Sequence, residues 1–199
     1  TYNAVQQLNS RIEGTLRIAT SASRSTPIVQ QYLPAFSMKY PSVHFEIYEG
    51  LMTNVVTQLI NGSAELGIAN IQMVDIDKFD ILLTQEEHLY AIFRRDVFWT
   101  DREHDTITWE DIKKCPLSLS GGSVRMIMQS SLTDMEQLNA VAITTTKSSA
   151  IEWASSGRTV SLVPMDAKEL INHRKMARIK LPEFSGDFKK AFITLKGHA

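Results

Sequence analysis

Leu16-Arg17-Ile18-Ala19-Thr20, the hydroxyl-rich run Ser21-Ala22-Ser23-Arg24-Ser25-Thr26 that follows it, and Val43-His44-Phe45-Glu46-Ile47-Tyr48 decide the fold class. The first stretch alternates apolar with small or polar residues after Gly14, which is the period of a strand. Pro27 suits the first helical position with Thr26 as N-cap, and Val29, Leu33, Phe36 and Tyr40 recur at helical spacing until Pro41 stops them. Pro34 kinks that helix or restarts it. In the third stretch Val43, Phe45 and Ile47 alternate with His44, Glu46 and Tyr48, so a second strand is predicted, closed by Gly50. Strand, helix and strand in succession make a βαβ unit.

Outward from this unit the same grammar continues. Thr53 is expected to cap a helix whose Val55, Val56, Leu59 and Ile60 face inward and which Asn61-Gly62 stop. Residues 66–70 form a third strand. Residues 79–83 and 89–93 read as extended pieces joined through polar Thr84-Gln85-Glu86-Glu87, a candidate crossover between domains in which both glutamates are expected in solvent. A second series follows: the capping box Thr108-x-x-Asp111, a strand at 117–120, a turn at Gly121-Gly122-Ser123 and a helix over 124–135. Then come a strand at 141–145, a helix at 148–156 ended by Gly157, a strand at 159–163, a helix at 166–173 and strands at 177–181 and 189–195. Strands alternating with helices require crossovers between parallel neighbours, so the class is α/β with mostly parallel sheets.

Composition bounds the function. In 199 residues, 21 Lys and Arg face 22 Asp and Glu, a net charge of -1, so no chain-wide cationic field exists for nucleic acid. The single cysteine, Cys115, cannot close an internal disulfide, and no Cys-x-x-Cys or Cys/His cluster has metal-ligand spacing. No apolar run approaches the length that spans a bilayer. Neither a signal peptide nor a nucleotide-binding, zinc-protease or nucleophile-elbow motif occurs. The five histidines are scattered as surface or capping residues, and no nucleophile and base are paired by sequence. Neither an enzyme nor a cofactor is expected.

In open α/β sheets ligands gather beyond the carboxyl ends of the strands. Three such ends are hydroxyl-rich and precede helices: residues 20–26, residues 120–123 and residues 144–149. Helix N-termini offer free N–H donors and partial positive charge, with Arg24, Arg125 and Lys147 nearby, so a small organic anion such as a carboxylate or phosphate is the expected ligand. Taken singly, plain helix capping is the commoner role of each Ser or Thr, and it is their recurrence at three equivalent strand ends that points to a ligand.

Gly14-Thr15-Leu16-Arg17-Ile18-Ala19-Thr20, Leu33-Pro34-Ala35-Phe36, Tyr40-Pro41-Ser42-Val43, Glu49-Gly50, Leu59-Ile60-Asn61-Gly62 and Glu65-Leu66-Gly67-Ile68-Ala69 resemble, in order and spacing, the effector-binding domain of LysR-type transcriptional regulators. The stretch over residues 155–164, a glycine-containing turn into a strand ending at Pro164, is similar to that family's later motif. The resemblance implies two Rossmann-like subdomains of type 2 periplasmic-binding-protein architecture joined by two crossover strands, with a small effector in the cleft between them. Subdomain I would take residues 12–84 and 183–199, subdomain II residues 85–182, and residues 1–11 would end a linker helix. By position, effector contacts would fall on Ser21, Ser23, Arg24, Leu51, Met52 and Asn70 in the first, and on Ser120, Gly121, Thr145, Thr146 and Lys147 in the second. A homodimer or homotetramer is implied, pairing the helix near residues 27–39 with the partner's helix near 124–135 through Val29, Tyr32, Met126 and Met128. DNA would be met in the cytoplasm, only through a winged helix-turn-helix absent from these residues, with no membrane partner. Two departures stand out: Arg158-Thr159 replace the usual small residues after Gly157, and the lone Cys115 does not meet the cysteine pair of the peroxide-sensing branch. The alternative reading is an extracytoplasmic solute-binding protein for uptake.

Overall fold

A computed structural model describes residues 12–21, 32–101, 107–166, 175–184 and 188–197. Contacts divide the chain into unit 1, Thr1–Gln85 with Lys189–Ala199, and unit 2, Glu86–Phe188. The chain leaves unit 1 after Gln85. It returns after Phe188, beyond the expected 182/183 division, because Phe184 and Phe188 bury themselves in the larger core of unit 2.

Unit 1 is built on β1 (Gly14–Ser21), β2 (Val43–Gly50), β3 (Leu66–Asn70), β4 (Phe79–Glu86) and β10 (Lys189–Leu195), in the spatial order β2-β1-β3-β10-β4. β1 lies between parallel β2 and β3, whereas β10 runs antiparallel to β3. Side chains alternate between the two faces of this sheet. Ala19, Ala69, Phe79, Ala191 and Ile193 meet Val55 and Leu59 of helix α2 (Met52–Ile60). Ile18 and Ile68 meet Leu33 at the start of α1 (Leu33–Lys39) on the opposite face. Pro34 stands in the first turn of α1, where its missing N–H costs nothing, and the expected helical stretch before Tyr32 lies outside the described residues.

Unit 2 is built on β5 (His88–Arg94), β6 (Leu117–Ser120), β7 (Ala140–Thr144), β8 (Val160–Met165) and β9 (Met176–Lys180), in the order β7-β6-β8-β5-β9. β6 is parallel to both β7 and β8, and β5 is antiparallel to β8 and β9. One face packs Leu117, Leu119 and Leu162 with Trp109 and Ile112 of α3 (Trp109–Lys113) and Met126 and Ile127 of α4 (Gly121–Ser130). The other packs Tyr90, Ile92 and Val163 with Ala150 and Ala154 of α5 (Lys147–Ser155). Each sheet is thus mixed: three parallel strands with antiparallel ones beside them.

Several local expectations are corrected. Leu51, not Thr53, is the N-cap of α2, and Ile60 is exposed rather than inward because the stripe of α2 narrows to Val55 and Leu59. Gly62 does take the left-handed conformation after α2 that a side chain resists. Gly121-Gly122-Ser123 is the first turn of α4 and not a loop. That helix ends at Ser130, with Ser131 left-handed, so Met135 falls in a separate 3-10 turn, Met135–Gln137. Glu87 is buried, not solvated, and its amide donates to the Phe188 carbonyl at 2.8 Å, tying together the strands that enter and leave unit 2. The helix expected over 166–173 lies, beyond Asp166, outside the described residues.

Candidate functional site

In unit 1 the register brings three strand ends together. Ser21 pairs with Gly50, and Thr20 pairs with Ile68, two residues before the end of β3 at Asn70. Thr20 is fully buried and its hydroxyl donates to the Ser21 carbonyl at 3.3 Å. The Ser21 hydroxyl is itself buried and has no hydrogen-bond partner among the described residues. A buried polar group in that state costs free energy unless something satisfies it. Asn70 is buried and its Oδ1 accepts from the Gln72 amide at 3.1 Å, capping the 3-10 turn Ile71–Met73. Leu51 opens α2 with no side-chain cap and stands exposed beside half-buried Met52. Ser23 and Arg24 lie outside the described residues.

In unit 2 the register pairs Ser120 with Thr144, the last residues of parallel β6 and β7. Ser120 and Ser123 form a reciprocal capping box, wholly buried: the Ser123 amide donates to Ser120 Oγ at 3.2 Å and the Ser120 amide to Ser123 Oγ at 2.8 Å. Thr144 Oγ1 reaches the carbonyls of Leu119 and Thr146, at 3.2 and 2.7 Å, and so locks the β7–α5 turn against β6. Thr146 caps α5, its Oγ1 accepting from the Ser149 amide at 3.2 Å. Lys147 begins α5 with its side chain buried and its ammonium 3.4 Å from the Pro164 carbonyl at the end of β8. A cation there adds to the positive pole of the helix instead of opposing it. Gly121 and Thr145 are exposed at the same rim.

The predicted residues therefore form two groups, each within its own unit: Ser21, Leu51, Met52 and Asn70 in unit 1, and Ser120, Gly121, Thr145, Thr146 and Lys147 in unit 2. Sequence reasoning included Thr20 and Thr144 in the hydroxyl-rich strand ends but not among the contact residues; Thr20 turns its hydroxyl to the Ser21 carbonyl, and Thr144 lies between the Leu119 and Thr146 carbonyls. Their mark was a Thr as the final polar residue of an apolar strand. It also missed that Pro164 receives Lys147. Of the candidate interface residues, Val29 lies outside the described set and Met128 is exposed. Tyr32 packs against the Ile18–Ile68 cluster, and its hydroxyl accepts from Gln85 Nε2 at 2.6 Å. Met126 is a correction: at 3% exposure it belongs to the core of unit 2 and presents nothing to a partner. Among the described residues no group of three His, Cys, Asp or Glu is placed to hold a metal ion, and no helix is long and apolar enough to cross a membrane.

The family described as LysR substrate binding domain matches residues 9–199. The chain belongs to that family. Solved structures share the fold of this LysR-type domain at low identity. The effector-binding domain of QuiR in complex with shikimate superposes with a TM-score of 0.70 at 14% identity, covering 94% of this chain and 90% of that one. HinK, a LysR family transcriptional regulator from Pseudomonas aeruginosa, gives 0.68 at 16% identity, covering 100% and 70%. Full-length CbnR complexed with its target DNA gives 0.70 at 15% identity, covering 98% and 69%. No curated protein matches the chain. The architecture expected from the sequence, two α/β subdomains of the type 2 periplasmic-binding fold, is the one found. Membership in a family of regulatory domains favours the sensing reading over solute uptake and over catalysis.

Proposed function

We propose that this LysR-type domain senses a small organic anion for a bacterial transcription regulator in the cytoplasm, through the strand-end groups around Ser21 and Asn70 in unit 1 and around Ser120, Thr146 and Lys147 in unit 2. The observation that carries the reading is the Ser21 hydroxyl, buried and without a partner among the described residues at the carboxyl end of the central parallel strand of unit 1. Asn70 and the open N-terminus of α2 end beside it in the sheet. In unit 2 the N-termini of α4 and α5, with the Lys147 ammonium at the latter, supply positive charge that favours an anion. The QuiR effector-binding domain, of the same fold, holds shikimate.

DNA contact belongs, in this reading, to a segment outside these residues, which the near-neutral charge supports. Effector binding favours one of two arrangements of the domain, and a homodimer or homotetramer carries that bias to the DNA-binding arms. With Met126 in the core, Met128 remains the exposed methionine that α4 offers to a dimer partner. The shift is limited to the effector's differential affinity for the two arrangements, typically about 1–3 kcal/mol of coupling. Nothing in this function asks for a chemical step or a cofactor.

The experiment is a melting-temperature screen of carboxylates, amino acids, aromatic acids and phosphates. A ligand of the folded state at 100 times its Kd stabilises by about 2.7 kcal/mol. Ser21→Ala is the informative variant, because it removes a hydroxyl that no described residue hydrogen-bonds. Its unliganded melting temperature is expected to hold or rise while the saturable ligand shift disappears. A Ser21→Ala domain that still responds like the parent, or a panel of anions that produces no shift, overturns the reading.

A further inference from the structure

β4 is the outermost strand of the unit 1 sheet, with β10 on one side and no described strand on the other. Ile81, Leu82 and Leu83 are consecutive on it and are 39%, 61% and 53% exposed. Ile81 and Leu83 share the face of Phe79, while Leu82 points to the opposite one. Unit 1 therefore leaves apolar side chains uncovered on both faces of an unpaired edge. Native sheets normally blunt such an edge with lysine, proline or a bulge, since its free N–H and C=O groups template pairing with another chain. Between Phe79 and Gln85 the only charge is Asp80, and no proline occurs.

The sequence of this edge is complementary to itself. In an antiparallel pairing of two β4 strands about a two-fold axis through Leu82, Ile81 stands opposite Leu83, Asp80 opposite Thr84, Phe79 opposite Gln85 and Lys78 opposite Glu86. No like charges meet, and the two opposite charges meet at both ends. Lys78 touches Asp75 at 3.1 Å within its own chain and Glu86 lies 3.8 Å from His88, yet Lys78 and Glu86 have side chains 62% and 71% exposed and free to reach across. We propose that β4 is the docking edge for a second copy of this chain, paired antiparallel through Leu82 so that the two unit 1 sheets run on as one. Each crossing stacks two Ile81–Leu83 pairs on one face and a Leu82–Leu82 pair on the other, the cross-strand pairs that stabilise sheets. The surface is separate from the effector residues and from Met128, so this association adds to the dimer of the proposed function and does not depend on it.

The test is sedimentation velocity over a concentration series, with far-UV circular dichroism and melting temperature confirming that each variant folds. Leu82→Lys places two ammonium groups on the axis and is expected to move one association step to at least about tenfold higher concentration. Lys78→Glu alone and Glu86→Lys alone, each setting like charges opposite one another, should weaken the same step. The double variant Lys78→Glu/Glu86→Lys should restore it, which a nonspecific surface effect would not do. A parent chain that stays monomeric, an unchanged step in Leu82→Lys, or a double variant as dissociated as the single ones overturns the proposal and leaves the edge to a foreign strand.

Discussion

Cys115 follows α3 with its thiol donating to the Asp111 carbonyl at 3.4 Å. Burial first, and the Asp111 carboxylate second, push its pKa up to about 11. The thiolate is the reactive form. Alkylation of the folded domain near neutral pH should therefore be far slower than that of the chain in denaturant, and should climb only as pH approaches about 11. Fast labelling of native Cys115 at pH 7 would contradict this. Asp96 shows the opposite shift: the hydrogen bonds from Arg94, one of them 2.8 Å long, hold its carboxyl down at about 2 against an ordinary 3.8. A folded-state pKa below the unfolded one stabilises above the unfolded value and stops doing so as pH falls through the folded one. The melting-temperature difference between the parent and Asp96→Asn, small because the pair is exposed, should persist at pH 7 and close between about 4 and about 2. At this scale the sequence was least legible. Glu87 reads as solvated because a Glu-Glu pair usually is, and Met126 is assigned to an interface by the resemblance alone, since its helical position suits core and interface alike. The hydroxyl ends of β1, β6 and β7 were legible because a polar end to an apolar strand is a local signal.

Strand positions were the most legible elements: residues 66–70, 117–120 and 189–195 were read with the bounds observed. Period-2 alternation and short, fully apolar runs carry that information without reference to the rest of the chain. Gly121-Gly122 misled, since paired glycines ordinarily punctuate turns. The reason they sit in a helix is tertiary: a Cβ on Gly122 would lie 2.7 Å from the Pro164 ring in β8, so α4 can start this close to β8 only without a side chain there. Gly122→Ala should cost about 1–3 kcal/mol in urea unfolding, the usual toll of overpacking. A neutral result would mean that the first turn of α4 shifts freely. Ser120→Ala removes the buried cap of the same helix and should cost about 1–2 kcal/mol, with no compensation from solvent.

On the scale of the molecule, the α/β class and the division into two subdomains follow from two runs of strand, loop and capped helix separated by a polar joint. The place of the return crossing did not follow, because the sequence does not say that Phe184 and Phe188 pack with Trp109 and Leu117. The clusters keep to their units, and within unit 1 Leu59 is buried against the sheet. Leu59→Ala should therefore destabilise by about 2–5 kcal/mol, measured by circular dichroism. All three tryptophans, Trp99, Trp109 and Trp153, lie in unit 2, so indole emission reports on that unit.

β10 lies between β3 and β4, although some hundred residues separate β4 from it in the chain. During translation, which proceeds at about 5–20 residues per second, unit 2 is complete when Phe188 leaves the ribosome. The sheet of unit 1 then still lacks the strand that fills its gap. For the roughly one second that the seven residues of β10 take to emerge, β3 and β4 stand as two open edges. A chain that pauses or stops just after Phe188 is consequently left without β10, on which the sheet of unit 1 depends. The released polypeptide should show native tryptophan emission from unit 2 while an unfinished unit 1 recruits chaperones or aggregates.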